Sequence, residues 1–93
     1  MFVIAHHFIQ EPEEFWALAQ QVTPSIPTSM KLHSVFPSRD LKTGTCVWEA
    51  DNAGEVQAFL DKFVGKTAKN VCYEVNDEIA MGLPQQTMRE AIA

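Results

Sequence analysis

The chain has 93 residues, of which 46% are apolar and 20% charged, and its net charge is −5. A length of this order builds one small domain with one modest core, because it buries only about 60–65% of its unfolded surface. The acidic balance, with no Lys/Arg cluster against it, argues against nucleic acid or an anionic membrane as partner, since both need a basic footprint.

The opening MFVIAHHFIQEPEE carries a short apolar run without a basic region or a small-residue cleavage site. No signal peptide is expected, no apolar run reaches the ~18 residues of a membrane span, and the expected location is the cytoplasm. Residues 2–9, FVIAHHFI, are rich in β-branched and aromatic types. They predict a first strand, apolar on both faces and therefore central in its sheet. Pro12 suits the start of a helix, and Glu13 and Glu14 favour its positive end. Phe15, Leu18, Ala19 and Val22 then recur at i, i+3, i+4 and i+7, which predicts a helix over 12–22. Thr23, Pro24 and Pro27 end it. Residues 30–36 predict a second strand stopped by Pro37, and residues 45–50 a third. Ser38, Arg39, Asp40, Lys42 and Gly44 form the polar turn between them. Asp51 or Asn52 caps a second helix, with Glu55 placed as in a capping box. Val56, Phe59, Leu60 and Phe63 are its apolar stripe, and Gly65 is its stop. Residues 70–75, NVCYEV, predict a fourth strand. Residues 77–81 offer one helical turn. The domain spans residues 1–84, and 85–93 form a tail or a short helix packed on a neighbour.

The order βαββαβ is the split-βαβ, ferredoxin-like pattern, an α+β domain with a four-stranded antiparallel sheet. Two helices cover one face of such a sheet. The other face is apolar too, and a second copy is the simplest cover for it. A homodimer with its sheets packed into a dimeric α/β barrel is expected.

Candidate chemistry gathers in the strands. His6, His7 and His33 are the chain's three histidines, and imidazoles with a thiolate or carboxylate are ligands for nickel, zinc or copper. A strand histidine is more often simply hydrogen-bonded. His6 and His7 are adjacent and so face opposite sides of a regular strand. The register of the 30–50 hairpin decides the company of His33. With His33 opposite Val47, Lys31 pairs with Glu49 and His33 shares a face with Glu49. After a slip of one residue, His33 lies opposite Trp48 and shares a face with Cys46. In that second register His33 is a base for a nucleophilic Cys46. Trp16, Trp48 and Tyr73 are aromatics that stack on a flat ligand or simply pack. Cys46 and Cys72 form no Cys-x-x-Cys pair and are expected as free thiols. The triplet Gly65-Lys66-Thr67 lacks the earlier glycine of a phosphate-binding loop, because Leu60 stands there.

The pieces VIAHHF, MKLHSVF, TCVWEADNAGEV and NVCYEV, within residues 2–76, resemble a family of small bacterial ferredoxin-like proteins of largely unknown function. The Cys-x-x-Glu-Ala piece is the most specific of them. At least one member of that family looks like a nickel-binding dimer. The resemblance implies a metal site, nickel first, built from His6 or His7, His33, and Cys46 or Glu49. Through VWEA at a strand–helix junction the chain is also similar to the wider dimeric α/β-barrel group, which includes cofactor-free monooxygenases acting on aromatic polyketides. That similarity implies an oxygenase or isomerase for a small aromatic compound, with a pocket between sheet and helices lined by Trp48, Tyr73 and a histidine. The loop with Pro24 and Pro27, and the tail after Pro84, have no counterpart in either group. The third expectation is a structural or interaction domain, with every histidine satisfied by the protein and no pocket.

Overall fold

The computed structural model describes residues 1–85. Its elements are β1 (Phe2–Ile9), α1 (Pro12–Val22), a 3-10 turn (Thr23–Ser25), β2 (Lys31–Pro37), β3 (Thr43–Glu49), α2 (Ala53–Val64) and β4 (Ala68–Glu74). The four strands make one antiparallel sheet in the order β2-β3-β1-β4. This is the ferredoxin-like α+β fold, with β1 inside the sheet as its two-sided apolar pattern requires. Pro37 does not stop β2 but ends it in register with Gly44. An edge strand tolerates this, because a missing N–H can face outward. Residues 77–79 form a single turn, closed by the Ala80 N–H bonded to the Asn76 carbonyl at 3.1 Å in the i→i+4 pattern of one helical turn. The expected tail lies, from residue 86 onward, outside the described residues. Among the described residues no helix is long and apolar enough to cross a membrane.

The two helices are held unequally. Asn52 caps α2, its side-chain oxygen accepting the Glu55 N–H at 2.8 Å. The Glu74 carboxylate accepts the Ala53 N–H at the same helix end, where the helix dipole favours negative charge. α2 buries Val56, Phe59, Leu60 and Val64, each contributing roughly 1.5–3 kcal/mol. α1 has no side-chain cap and fully buries Phe15 alone. Its second tie is Trp16, whose Nε1–H donates to the Leu41 carbonyl at 3.2 Å. The Trp16 ring also lies over Gly44, where a Cβ would stand 3.1 Å from it.

Strand alternation sorts the sheet into two faces. Val3, Ala5, His7 and Ile9 of β1 face the helices, with Cys46 and Trp48 of β3 and Asn70 and Cys72 of β4 beside them. The opposite face carries the row Phe36–Thr45–His6–Val71 and, next to it, Val47–Ile4–Tyr73. Phe36 and Tyr73 are 61% and 56% exposed there.

Candidate functional site

His33 meets Glu49, and a bulge arranges it. Lys31 pairs with Glu49 and Leu32 with Trp48, but the next pair is Ser34 with Val47. His33 is therefore the extra residue of a β-bulge, a device that re-aims one side chain. Its Nε2 lies 2.8 Å from Glu49 Oε1, and both side chains are nearly inaccessible. The ring of Phe2 packs on His33, with centroids 5.5 Å apart. Neither regular register is right: Lys31 opposes Glu49 as in the first, yet Val47 opposes Ser34 and not His33.

The pairing of a histidine with Cys46 also exists, with a different histidine. His7 is 1% exposed on the helix face. Its Nε2 lies 3.2 Å from Cys46 Sγ and its Nδ1 lies 2.7 Å from Asn70 Oδ1. Asn70 Nδ2 donates to Asp61 Oδ1 at 3.1 Å, so Asn70 Oδ1 is the acceptor and His7 Nδ1 carries the hydrogen. Nε2 then receives the thiol hydrogen. Burial holds the His7 pKa below its ordinary value, with the Asn70 hydrogen bond opposing and His6 adding to the shift. The imidazole is accordingly neutral at neutral pH. Burial also pushes the Cys46 thiol up to about 12, with Cys72 adding, and the Cys72 thiol up to about 11, with Asp61 adding. Both cysteines are free. They flank Ala5 in one row of the sheet, about 9–10 Å apart at two strand spacings, beyond disulfide reach.

A cavity of about 40 Å³ lies between helices and sheet, with His7, Phe15, Val22, Ile26, Trp48 and Phe59 on its walls. Trp48 is 2% exposed, and its indole Nε1–H has no hydrogen-bond partner among the described residues. A benzene-sized guest needs on the order of 150 Å³, so an aromatic ring enters only if a wall moves. The less firmly held wall is α1, the helix with no side-chain cap and one fully buried residue. Tyr73 does not join Trp48 here. It pairs with Ile4 on the opposite face, so the sheet separates the two aromatics that the sequence suggested for one pocket.

The five positions suggested for a metal are likewise divided. His7 and Cys46 face the helices, while His6, His33 and Glu49 face away. His6 pairs with Thr45, four residues along β3 from Glu49, about 13 Å away at strand spacing. Its Nδ1 lies 3.0 Å from Thr45 Oγ1. Among the described residues no group of three or more His, Cys, Asp or Glu side chains is placed to hold one ion. Asn70 and Asp61 are the functional candidates that sequence reasoning passed over. The signal was there for Asn70: an asparagine inside a strand works against β-propensity and needs a buried partner to justify it.

Comparison with known proteins gives no match to a family model, to a curated protein or to a solved structure.

Proposed function

We propose that this chain is a cytoplasmic small-ligand protein that holds a compact, mostly apolar molecule with one acceptor oxygen in the cavity under α1. Two copies pair through their open sheet faces into a dimeric α/β barrel. The observation that carries the ligand reading is the indole N–H of Trp48, buried without a partner among the described residues beside an otherwise apolar void. A buried water wants roughly two to four polar partners. The other polar walls of this cavity are already engaged: both His7 nitrogens are bonded, and the Thr23 hydroxyl donates to the Ala19 carbonyl. A single carbonyl oxygen on a small hydrocarbon body suits one free donor better. An oxygenase or isomerase for an aromatic compound needs the same cavity enlarged several-fold by movement of α1.

Butan-2-one, about as bulky as benzene, is a suitable probe, and it too enters the cavity only as α1 gives way. Its titration is expected to shift the Trp48 indole N–H signal in a proton–nitrogen NMR spectrum, while a hydrocarbon of the same size leaves it in place. Trp48→Phe keeps much of the shape and removes the donor. Affinity for the ketone is expected to fall about two- to thirteenfold, the value of one hydrogen bond of about 0.5–1.5 kcal/mol. An unmoved indole signal at saturating ketone would remove this reading.

A second reading has its own observation. His33 and Glu49 offer a nitrogen and an oxygen side by side on the face that a second copy would cover. With ligands from that copy they would take a transition metal, nickel first. Chelator-treated protein titrated with nickel, zinc and copper tests it. The reading requires micromolar binding that His33→Ala abolishes.

A further inference from the structure

β4 is one edge of the sheet, and α2 reaches over it. The Val75 N–H donates to the Phe2 carbonyl at 3.0 Å. Antiparallel bonding alternates along a strand, so Tyr73, Val71 and Lys69 turn their backbone groups toward β1, while Asn70 and Cys72 turn theirs outward. The side-chain amide of Gln57, on α2, meets those outward groups. It accepts the Cys72 N–H at 3.1 Å and donates to the Asn70 carbonyl at 2.7 Å. A neighbouring strand would otherwise bond to these same two groups. The amide is held in that orientation. Its Nε2 also lies 3.1 Å from both carboxylate oxygens of Asp61, which accepts the Asn70 side chain as well. The opposite edge, β2, is blunted by other means, the bulge at His33 and Pro37.

We propose that the β4 edge is a latent strand-pairing surface whose partner is β4 of a second copy, and that Gln57 keeps it closed. An edge strand is a ready template for another chain, and proteins blunt it with charge, proline, a bulge or a covering element. β4 carries charge only at Lys69 and Glu74. Between them Asn70, Val71, Cys72 and Tyr73 are uncharged. Val71 and Tyr73 are strong β-formers, 42% and 56% exposed. The segment suits its own copy. Two β4 strands related by a two-fold axis at Val71 run antiparallel, with Val71 opposite Val71, Lys69 opposite Tyr73 and Asn70 opposite Cys72. Each pair keeps to one face of the joined sheet, and no like charges oppose each other. In that register the Asn70 carbonyl of one copy would accept the Cys72 N–H of the other. These are the two groups that the Gln57 amide occupies, so the edges join only after it leaves.

Hydrogen exchange and light scattering test it. In the unaltered protein the Cys72 amide is expected to be protected alongside the Val71 amide, although one faces outward and the other faces β1. An unprotected Cys72 amide overturns the proposal without any variant. Gln57→Leu keeps the bulk and the helix propensity and removes both bonds. In dilute solution it is expected to speed Cys72 exchange about two- to thirteenfold, the value of one hydrogen bond, and to leave Val71 exchange as it was. At raised concentration it is expected to form assemblies of at least about twice the mass of the unaltered protein, as joining two edges requires. The readout is this ratio, so it holds whether the unaltered chain is a monomer or pairs through its sheet faces. Val71→Cys in the Gln57→Leu background is expected to link two chains through position 71 under mild oxidation, because residues opposed there lie within disulfide reach. With Gln57 in place no such link is expected. Asn52→Ala weakens the fold away from this edge and is expected to leave the mass unchanged. A Gln57→Leu protein no larger than the unaltered one, a link that forms equally with Gln57 in place, or equal enlargement by Asn52→Ala overturns the proposal.

Discussion

His6 and His7 are neighbours in β1, yet the strand pleat sends them to opposite sides of the sheet. His6 meets Thr45 and the ring of Phe8 on the open face. His7 is enclosed with Cys46, Asn70 and Phe15. Burial lowers the His7 pKa, so the unfolded chain protonates this residue before the folded one does. Stability is therefore full above the ordinary histidine pKa and falls as pH drops from about 6.5 through the lower folded value, by at most ~1.4 kcal/mol per pH unit. Urea unfolding between pH 7 and pH 5.5 is expected to show that decline, and His7→Gln is expected to flatten it. His33→Ala takes a partner from the enclosed Glu49 carboxylate. It should cost about 1–3 kcal/mol, read as a lower melting temperature. A loss close to zero would mean that the pair is incidental.

α1 and α2 have similar lengths, but their attachments differ. α2 is capped and buries a stripe of four residues. Asn52→Ala removes the cap, and a loss of about 1 kcal/mol is expected. α1 depends on Phe15 and on Trp16 resting over Gly44. Gly44→Ala would press a methyl group against the Trp16 ring. Overpacking of this kind costs about 1–3 kcal/mol, unless the ring and its helix shift outward. Hydrogen exchange distinguishes the two responses: the shift would speed exchange in α1 and leave α2 alone. The same helix is the wall that a larger ligand has to move, so a loosened α1 is expected to widen the range of ketones that bind.

Over the whole molecule, the open sheet face is the surface on which the proposed dimer rests. Phe8, Phe36, Val71 and Tyr73 are exposed on it, and the proposed dimer covers them. Phe36→Glu combined with Val71→Glu is expected to convert a dimer to a monomer in light scattering, and an unaltered chain that is itself monomeric removes the proposal. Much of this architecture was legible in the chain itself. The spans of β1 and α1, the Asn52 cap and the βαββαβ order follow from local patterns of burial and from terminal chemistry, which act within a few residues. The site was legible only in part. His33, Glu49, His7, Cys46 and Trp48 all stand out by residue type, but their partners depend on which strands adjoin and in what register. The bulge at His33 keeps the His33–Glu49 company of the first register, although Ser34 and not His33 opposes Val47, and the β1–β3 pairing gives Cys46 a different histidine, His7. Asn70 and Asp61 joined His7 because β4 lies beside β1 and α2 lies above both. Tyr73 parted from Trp48 because a sheet has two faces. Sequence by itself determined the elements and their order, since those rest on neighbours along the chain; only the tertiary structure decided which side chains meet, since hydrogen bonds and a cavity form between residues dozens of positions apart.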